Sequence, residues 1–136
     1  MKAVPAGLIG GWPRIIENGR SIAAEAATIE GTISRNAEVR HPRTAVGIAR
    51  DGATLWLVTV DGRSKTSVGM TLVELADAMR RMGAWQALNF DGGGSSTMVA
   101  TPPGGVSTVL NAPSGGSERR VTNALEVTYR PPAARR

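Results

Sequence analysis

The fold is decided by residues 55–97, LWLVTVDGRSKTSVGMTLVELADAMRRMGAWQALNFDGGGSST. The almost wholly apolar run from Leu55 to Val60 predicts a strand that is buried on both faces. Thr71 with Glu74 three residues later forms a capping-box pattern, and Gly83 suits a helix end. We therefore predict a helix over residues 71–82 and a strand over about residues 86–90. Helical spacing gives this helix one apolar face, made of Leu72, Leu75, Ala76, Met79 and Met82.

This strand-helix-strand order has a consequence for function. Such units usually form a right-handed crossover in which the two strands run parallel. Both strands then end at one edge of the sheet, where ligands of α/β sheets tend to bind. Asp61 directly follows the first strand and Asp91 directly follows the second. If the strands are neighbours, the two carboxylates lie roughly 5–10 Å apart, which is a range in which acid–base pairs work. The Asp61-Gly62 pair is also a favoured plain turn.

Two hairpin signals precede this unit. The turn sequence Glu17-Asn18-Gly19 follows a short strand pattern at residues 13–16, and a second strand is expected near Arg20. Residues 44–49 form a short apolar run that closes at the turn pair Asp51-Gly52.

Two further strands are predicted near residues 106–110 and 121–129. These patterns together indicate an α+β (mixed α/β) fold, mostly β-strands in a mixed sheet with one clear helix. We expect one domain over residues 1–129, followed by a basic disordered tail over residues 130–136.

The sequence DGGGSST, from Asp91 to Thr97, is the strongest candidate for an active-site loop. Gly92, Gly93 and Gly94 remove every Cβ from a short segment, so backbone amides can turn inward and form an anion-binding nest. Ser95 and Ser96 add hydroxyl groups that suit a phosphate or a sugar oxygen. The loop does not match the P-loop pattern or Gly-x-Ser-x-Gly.

Basic and polar residues elsewhere are further candidates. Arg43, which precedes a predicted strand, could bind a phosphate through two parallel hydrogen bonds. His41 is the single histidine, so a serine hydrolase acting through Ser95 or Ser96 would have to use it, although a histidine beside a proline is more often simply exposed.

The later part of the chain adds a long polar loop from Asn111 to Arg120. This loop, which includes Arg119, is either a substrate-contacting segment or a mobile surface loop. Asn123 is polar in an apolar setting and is expected to hydrogen-bond into the site.

The composition excludes several classes of protein. The chain has no cysteine and one histidine, and no residue cluster has metal-ligand spacing, so we expect no metal and no cofactor. The formal net charge is +5, but basic residues are not interleaved with the few aromatic ones, which argues against nucleic-acid binding. No apolar run approaches the roughly 18 residues of a membrane span. The N-terminal sequence is not read as a signal peptide, which leaves the localisation open.

The chain resembles the phosphodiester glycosidase family, to which the enzyme that uncovers mannose 6-phosphate belongs. The resemblance runs in order over nearly all of residues 8–128. It is carried by GGWPRIIENG, RHPRTAVGIA, LWLVTVDGR, SVGMTLVELADAMRRMGAWQALNFDGGGSSTMV and NAPSGGSERRVTNALEV.

The resemblance implies hydrolysis of a sugar-1-phosphodiester at the glycosidic bond, with release of a free sugar and a phosphomonoester. Asp91 or Asp61 would be the catalytic carboxylate, and the other would position water or substrate. The substrate would be a small molecule or a glycan. The residues expected to bind it are Arg43, Thr44, Gly92, Gly93, Gly94, Ser95, Ser96, Asn111, Arg119 and Asn123.

The chain departs from the family in length. The family's domain is usually longer, is often exported, and begins with further β-structure that carries an Asn-, Gly- and Phe-rich segment near the site. We therefore expect a fragment, a truncated product or a compact variant, with an oligomer partner or the missing half covering exposed strands. The alternative function is a non-catalytic carbohydrate- or phosphate-binding module, or an inactive fragment of such an enzyme.

Overall fold

A computed structural model describes residues 8–26 and 37–128, so the expected basic tail lies outside the described residues. This part of the chain is an α+β unit, as predicted, with a helix packed on a sheet. None of the described helices is long and apolar enough to cross a membrane. The elements are β1 (Arg14–Glu17), β2 (Arg20–Ser21), β3 (Arg43–Ile48), β4 (Leu55–Val60), α1 (Leu72–Arg81), β5 (Gln86–Asn89), a 3₁₀ turn (Gly93–Ser95), β6 (Val99–Ala100) and β7 (Thr108–Val109).

The main sheet has five strands in the order β2-β1-β5-β3-β4. Both β4 and β5 pair antiparallel with β3, which lies between them. The two strands of the predicted crossover therefore run in the same direction, but the condition that they are neighbours is not met. The register places Arg43 opposite Val60 and Ala45 opposite Asn89. The start of β3 consequently lies at the same sheet edge as the ends of β4 and β5.

Both predicted hairpins are confirmed. β1 and β2 pair across the turn at Asn18 (φ 51°) and Gly19 (φ 76°), which have the positive φ angles that a type I′ turn requires. The β3–β4 hairpin pairs Ile48 with Leu55, and Gly52 in its loop has φ 71°. The turn residues thus fix the register of each pair.

The predicted helix is confirmed as α1. The Thr71 side chain accepts from the amide of Glu74, and the Glu74 side chain accepts from the amide of Thr71, so the capping box is complete. Gly83, with φ 98°, follows the helix end. The predicted apolar face was wrong at Met82, which caps the C-terminus and is 43% exposed. The other four face residues are buried in a core that includes Ile15, Ile16, Ala45, Ala84 and Ala87.

The expectation that Leu55 to Val60 is buried on both faces was wrong. β4 is the last strand of the sheet, and alternate residues face opposite sides. Trp56, Val58 and Val60 pack against the core, whereas Leu55 is 49% exposed and Leu57 is 39% exposed. Apolar content thus marks this segment as a strand but does not give its place in the sheet.

The C-terminal part differs most from expectation. Residues 106–110 contain only the short strand β7, which pairs with β6 in a separate two-stranded sheet. Residues 121–128 form no strand, and Val121, Leu125 and Val127 are exposed; Tyr129 lies outside the described residues. The alternation of apolar and polar residues there is typical of a strand with one buried and one exposed face. A strand also needs a hydrogen-bonded neighbour, however, and this segment pairs with none of the described strands.

Candidate active site

The candidate site lies at the sheet edge where β4 and β5 end and β3 begins. Asp61 directly follows β4, and Asp91 follows β5 after one intervening residue, Phe90. Since β3 separates β4 from β5, the two backbones are two strand spacings apart, roughly 9–10 Å. The sheet topology therefore places both aspartates at one edge, although across an intervening strand.

The glycine-rich loop packs closely against the residue that precedes β3. The amide of Gly93 donates to the carbonyl of Pro42 at 2.9 Å, and a Cβ on Gly92 would lie 2.6 Å from the same oxygen. Gly93 also has φ 61°, which an L-residue with a side chain adopts only with strain. The glycines are therefore required for a close approach between two backbones.

The predicted anion-binding nest is only partly available. The amides of Ser95 and Ser96 donate to the carbonyls of Gly92 and Gly93, and the Gly93 amide is used by Pro42. Within the described part of the chain, the amide of Gly94 donates to no protein group. The loop thus uses the amides of Gly93, Ser95 and Ser96 to hold its shape and its contact with Pro42.

Asn111 joins Asp61 to the glycine-rich loop. Its Nδ2 donates to Asp61 Oδ1 at 3.0 Å and to the Ser96 carbonyl at 3.0 Å, and its Oδ1 accepts from the amide of Met98 at 2.8 Å. Asp61 Oδ1 also accepts from the amide of Ala112 at 2.9 Å. Asp61 therefore anchors the start of the long polar loop.

Ser96 closes this network from the inside. It is 1% exposed, and its Oγ accepts from Thr44 Oγ1 at 3.2 Å. Thr44 lies on β3, so the contact ties the glycine-rich loop to the middle strand of the site edge. This geometry supports a structural role for the Thr44–Ser96 pair.

Asp91 is the accessible carboxylate of the pair. Its side chain is 79% exposed. Asp91 Oδ2 accepts from Ser95 Oγ at 2.7 Å and from Arg119 Nη2 at 3.4 Å, and Arg119 Nη2 also donates to Ser95 Oγ. One oxygen of Asp91 is therefore held by two side chains, one of them charged.

Arg43 is buried, whereas the predicted bidentate binding of a substrate phosphate needs an accessible guanidinium. It is 6% exposed, and it donates from Nε to the Met70 carbonyl at 2.9 Å and from Nη2 to the Val39 carbonyl at 2.7 Å. Burial lowers the pKa of its guanidinium. These contacts support a role in holding the loops beneath the site, and direct phosphate binding by Arg43 stays a prediction.

An open pocket of about 480 Å³ lies beside the glycine-rich loop. It contains two arginines, Arg119, which the sequence predicts as a site residue, and Arg63, which it does not. Arg63 follows the Asp61-Gly62 turn, and its φ of 57° turns its side chain in a way that the sequence does not signal. The lining residues are Arg63, Gly94, Ser114, Gly115, Ser117, Glu118 and Arg119.

His41 contacts Arg63 rather than a serine. The His41 Nδ1 lies 3.2 Å from Arg63 Nη2, and the backbone of His41 forms a β-bridge with Met70. Burial, followed by the charges of Arg63 and Arg43, lowers the pKa of His41. Neither Ser95 nor Ser96 hydrogen-bonds to His41 among the described residues, so the geometry gives the serine hydrolase hypothesis no support.

Asn123 is the one predicted site residue that the structure leaves apart. It is exposed, in the unpaired segment, and it makes no hydrogen bond within residues 8–26 and 37–128. In the same part of the chain, no group of three or more His, Asp or Glu side chains is arranged to hold a metal ion.

Paired carboxylates at one sheet edge are the groups that glycoside hydrolases commonly use, and here they lie beside a pocket that contains two arginines. The sequence model of the family "Phosphodiester glycosidase" matches residues 1–128, and the chain belongs to this family.

Individual relatives agree with this assignment. The chain is 35% identical over 99 residues to mouse N-acetylglucosamine-1-phosphodiester alpha-N-acetylglucosaminidase, covering 68% of this chain and 19% of the mouse protein. It is 36% identical over 102 residues to the SPbeta prophage-derived uncharacterized protein YomE of Bacillus subtilis, covering 75% of this chain and 15% of that protein. The chain thus spans less than a fifth of the length of these relatives.

Solved structures share the fold. The catalytic domain of the zebrafish N-acetylglucosamine-1-phosphodiester alpha-N-acetylglucosaminidase, auto-inhibited by its pro-peptide, is similar with a TM-score of 0.60 at 27% identity, over 86% of this chain and 39% of that chain. A hypothetical protein from Synechocystis is similar with a TM-score of 0.55 at 34% identity, over 65% of this chain and 16% of that chain.

Proposed function

We propose that this chain hydrolyses a sugar-1-phosphodiester at the glycosidic bond and releases a free sugar and a phosphomonoester. The observation that carries the proposal is the Asp91 carboxylate, which is exposed beside the pocket and held by Ser95 and Arg119. Membership of the phosphodiester glycosidase family supports the same reaction class. The name of the mouse relative makes N-acetylglucosamine the first sugar to test.

Asp91 acts next to the anomeric carbon in this proposal. The bond between that carbon and the phosphate oxygen breaks, and its electron pair leaves with the phosphate. The sugar passes through an oxocarbenium-like transition state, whose positive charge the Asp91 carboxylate stabilises. A water oxygen then bonds to the anomeric carbon, and its proton goes to solvent.

The leaving group needs charge stabilisation more than protonation. A phosphomonoester is a stable anion, so a cationic pocket can stabilise the charge that develops on its oxygen. The pocket beside Asp91 carries the guanidinium groups of Arg63 and Arg119. This arrangement supports a phosphate-bearing leaving group over an uncharged alcohol.

Asp61 has a positioning role in this proposal. Its Oδ1 accepts hydrogen bonds from Asn111 and Ala112, and the Ser67 hydroxyl donates to its backbone carbonyl at 2.6 Å. These bonds connect the ends of two loops at the site edge. Asp61 thereby orients the loop that carries Arg119, whereas Asp91 faces the substrate.

The test is release of free N-acetylglucosamine from the methyl diester of N-acetyl-α-glucosamine-1-phosphate. We expect turnover by the wild type, and a loss of kcat of about 10³-fold in Asp91→Asn, which keeps the shape of the side chain and removes its charge. Asp77→Asn, a partly exposed carboxylate on α1 that lies 3.9 Å from Arg80, is the matched control and should keep full activity. Equal rates for Asp91→Asn and wild type would disprove the role of Asp91.

A second candidate is binding without turnover. One observation favours it: the Asp91 side chain is 79% exposed. Glycosidases usually exclude bulk water from the reacting atoms more completely. A wild type that is folded, binds the diester and releases no sugar would establish this candidate in place of the first.

A further inference from the structure

We infer that Arg63 is the residue that binds the phosphate group of the substrate, and that His41 holds its guanidinium beside the glycine-rich loop. This inference rests on the proposed function and assigns the phosphate contact to one of the two arginines of the pocket.

The position of Arg63 supports the assignment. Its Nη1 and Nη2 lie 3.2 and 3.3 Å from the point that a Cβ on Gly93 would occupy, and it lines the pocket together with Gly94. The guanidinium therefore lies directly against the loop that begins at Asp91. A phosphate attached to a sugar at Asp91 would come within its reach.

The charge of Arg63 is available for an anion. Within the described part of the chain, its guanidinium meets no carboxylate, and its side-chain partner is the Nδ1 of His41 at 3.2 Å. A guanidinium has five N–H donors in a planar fork that matches phosphate oxygens. The other arginines near the site are engaged: Arg119 pairs with Asp91, and Arg43 donates to backbone carbonyls.

His41 is built to accept from Arg63. Its amide donates to the Met70 carbonyl at 3.2 Å, and its carbonyl accepts from the Met70 amide at 3.1 Å, which fixes its backbone. A neutral imidazole whose proton is on Nε2 presents a lone pair on Nδ1. The lowered pKa of His41 keeps the ring neutral near pH 7 and preserves this acceptor.

The backbone of Arg63 adds a second observation. Its φ of 57° is a left-handed conformation that costs a residue with a side chain about 1 kcal/mol or more. Glycine would adopt it freely, so Arg63→Gly removes the guanidinium and relieves the backbone strain at once. We therefore expect Arg63→Gly to fold, so that a loss of binding reports on the guanidinium.

The two arginines of the pocket therefore have different roles. Arg119 holds the Asp91 carboxylate and is expected to affect the chemical step. Arg63 contacts the phosphate and is expected to affect binding. Glu118, which also lines the pocket, opposes an anion and limits its affinity.

The test is binding of inorganic phosphate to the purified chain, measured by isothermal titration calorimetry at pH 7.5 and constant ionic strength. We expect saturable binding by the wild type, and a dissociation constant raised about 10- to 100-fold in Arg63→Gly, which is the cost of losing a charge-assisted hydrogen-bonded pair. Arg63→Lys should lie between them. His41→Phe should weaken phosphate binding by a smaller factor.

The matched control is Arg81→Ala, which removes one exposed arginine from the end of α1, away from the site. Unchanged phosphate binding in Arg63→Gly, equal losses in Arg63→Gly and Arg81→Ala, or no saturable binding by the wild type would each overturn the inference. Thermal melting of each variant establishes that it is folded. Phosphate binding is measured without turnover, so a wild type that binds through Arg63 and releases no sugar would contradict the proposed function alone.

Discussion

The side-chain amide of Asn111 donates to the carboxylate of Asp61 at 3.0 Å. The same amide donates to the carbonyl of Ser96, and the Asn111 side-chain oxygen accepts from the amide of Met98. One residue therefore connects the end of β4, the end of the glycine-rich loop and the start of the polar loop. These three segments are far apart in sequence, and their alignment at the site depends on this residue.

Asn111→Asp should disrupt this connection. The substitution keeps the shape of the side chain, removes both Nδ2 hydrogen bonds and places a second carboxylate beside Asp61. We expect the free energy of unfolding to fall by about 1–3 kcal/mol and the kcat/KM of sugar release to fall at least about tenfold. Urea denaturation measures the first effect, and Asn123→Asp, in an exposed segment, is the control for stability. Equal stability of the two variants would show that the Asn111 network contributes nothing.

Gly92→Ala should test the packing of the loop against the residue before β3. A Cβ at Gly92 would lie 2.6 Å from the Pro42 carbonyl, a distance that side-chain carbons do not tolerate. We expect a loss of about 1–3 kcal/mol in the free energy of unfolding, the usual cost of overpacking. The matched control is Gly10→Ala, where a Cβ would meet nothing within 4 Å. Chemical denaturation of both variants gives the comparison, and similar losses in the two would contradict the close approach.

The helix cap should make stability depend on acid pH. The hydrogen bond from Arg40, together with the one from the Thr71 amide, lowers the pKa of Glu74 from 4.5 to about 2. Because the pKa of Glu74 is lower in the folded state, the ionised carboxylate stabilises the fold fully above pH 4.5, the unfolded value. This contribution to the free energy of unfolding is lost as the pH falls towards 2. We expect the urea midpoint of wild type to fall over this range more steeply than that of Glu74→Gln. Asp77→Asn, on the same helix, should follow the wild type, and parallel curves for wild type and Glu74→Gln would contradict the shift.

Local features of the fold were predictable, because their signals lie within a few residues of each other. The helix follows from Thr71, Glu74 and Gly83, and the first hairpin follows from Asn18 and Gly19. Features that depend on distant partners were not. The exposure of Leu55 and the unpaired state of residues 121–128 depend on the order of strands in the sheet, which apolar alternation does not encode.

The site was predictable in part for the same reason. Asp61 and Asp91 were expected at one sheet edge, and they lie there because both strands run antiparallel to β3. The charge of Arg43 can be read from the sequence, but its burial cannot. Nor does the sequence reveal that the left-handed backbone of Arg63 directs that side chain to the pocket. Burial and side-chain direction follow from packing, which the motifs alone do not specify.

The measurement that tests the central claim most directly is hydrolysis of the methyl diester of N-acetyl-α-glucosamine-1-phosphate in ¹⁸O-labelled water. Cleavage at the glycosidic bond joins the water oxygen to the sugar, whereas cleavage at phosphorus joins it to the phosphate. We predict that the released methyl phosphate carries no label, as read from the isotope shift of its ³¹P resonance, and that Asp91→Asn releases it about 10³-fold more slowly. A labelled methyl phosphate, or no hydrolysis by the folded wild type, would contradict the account.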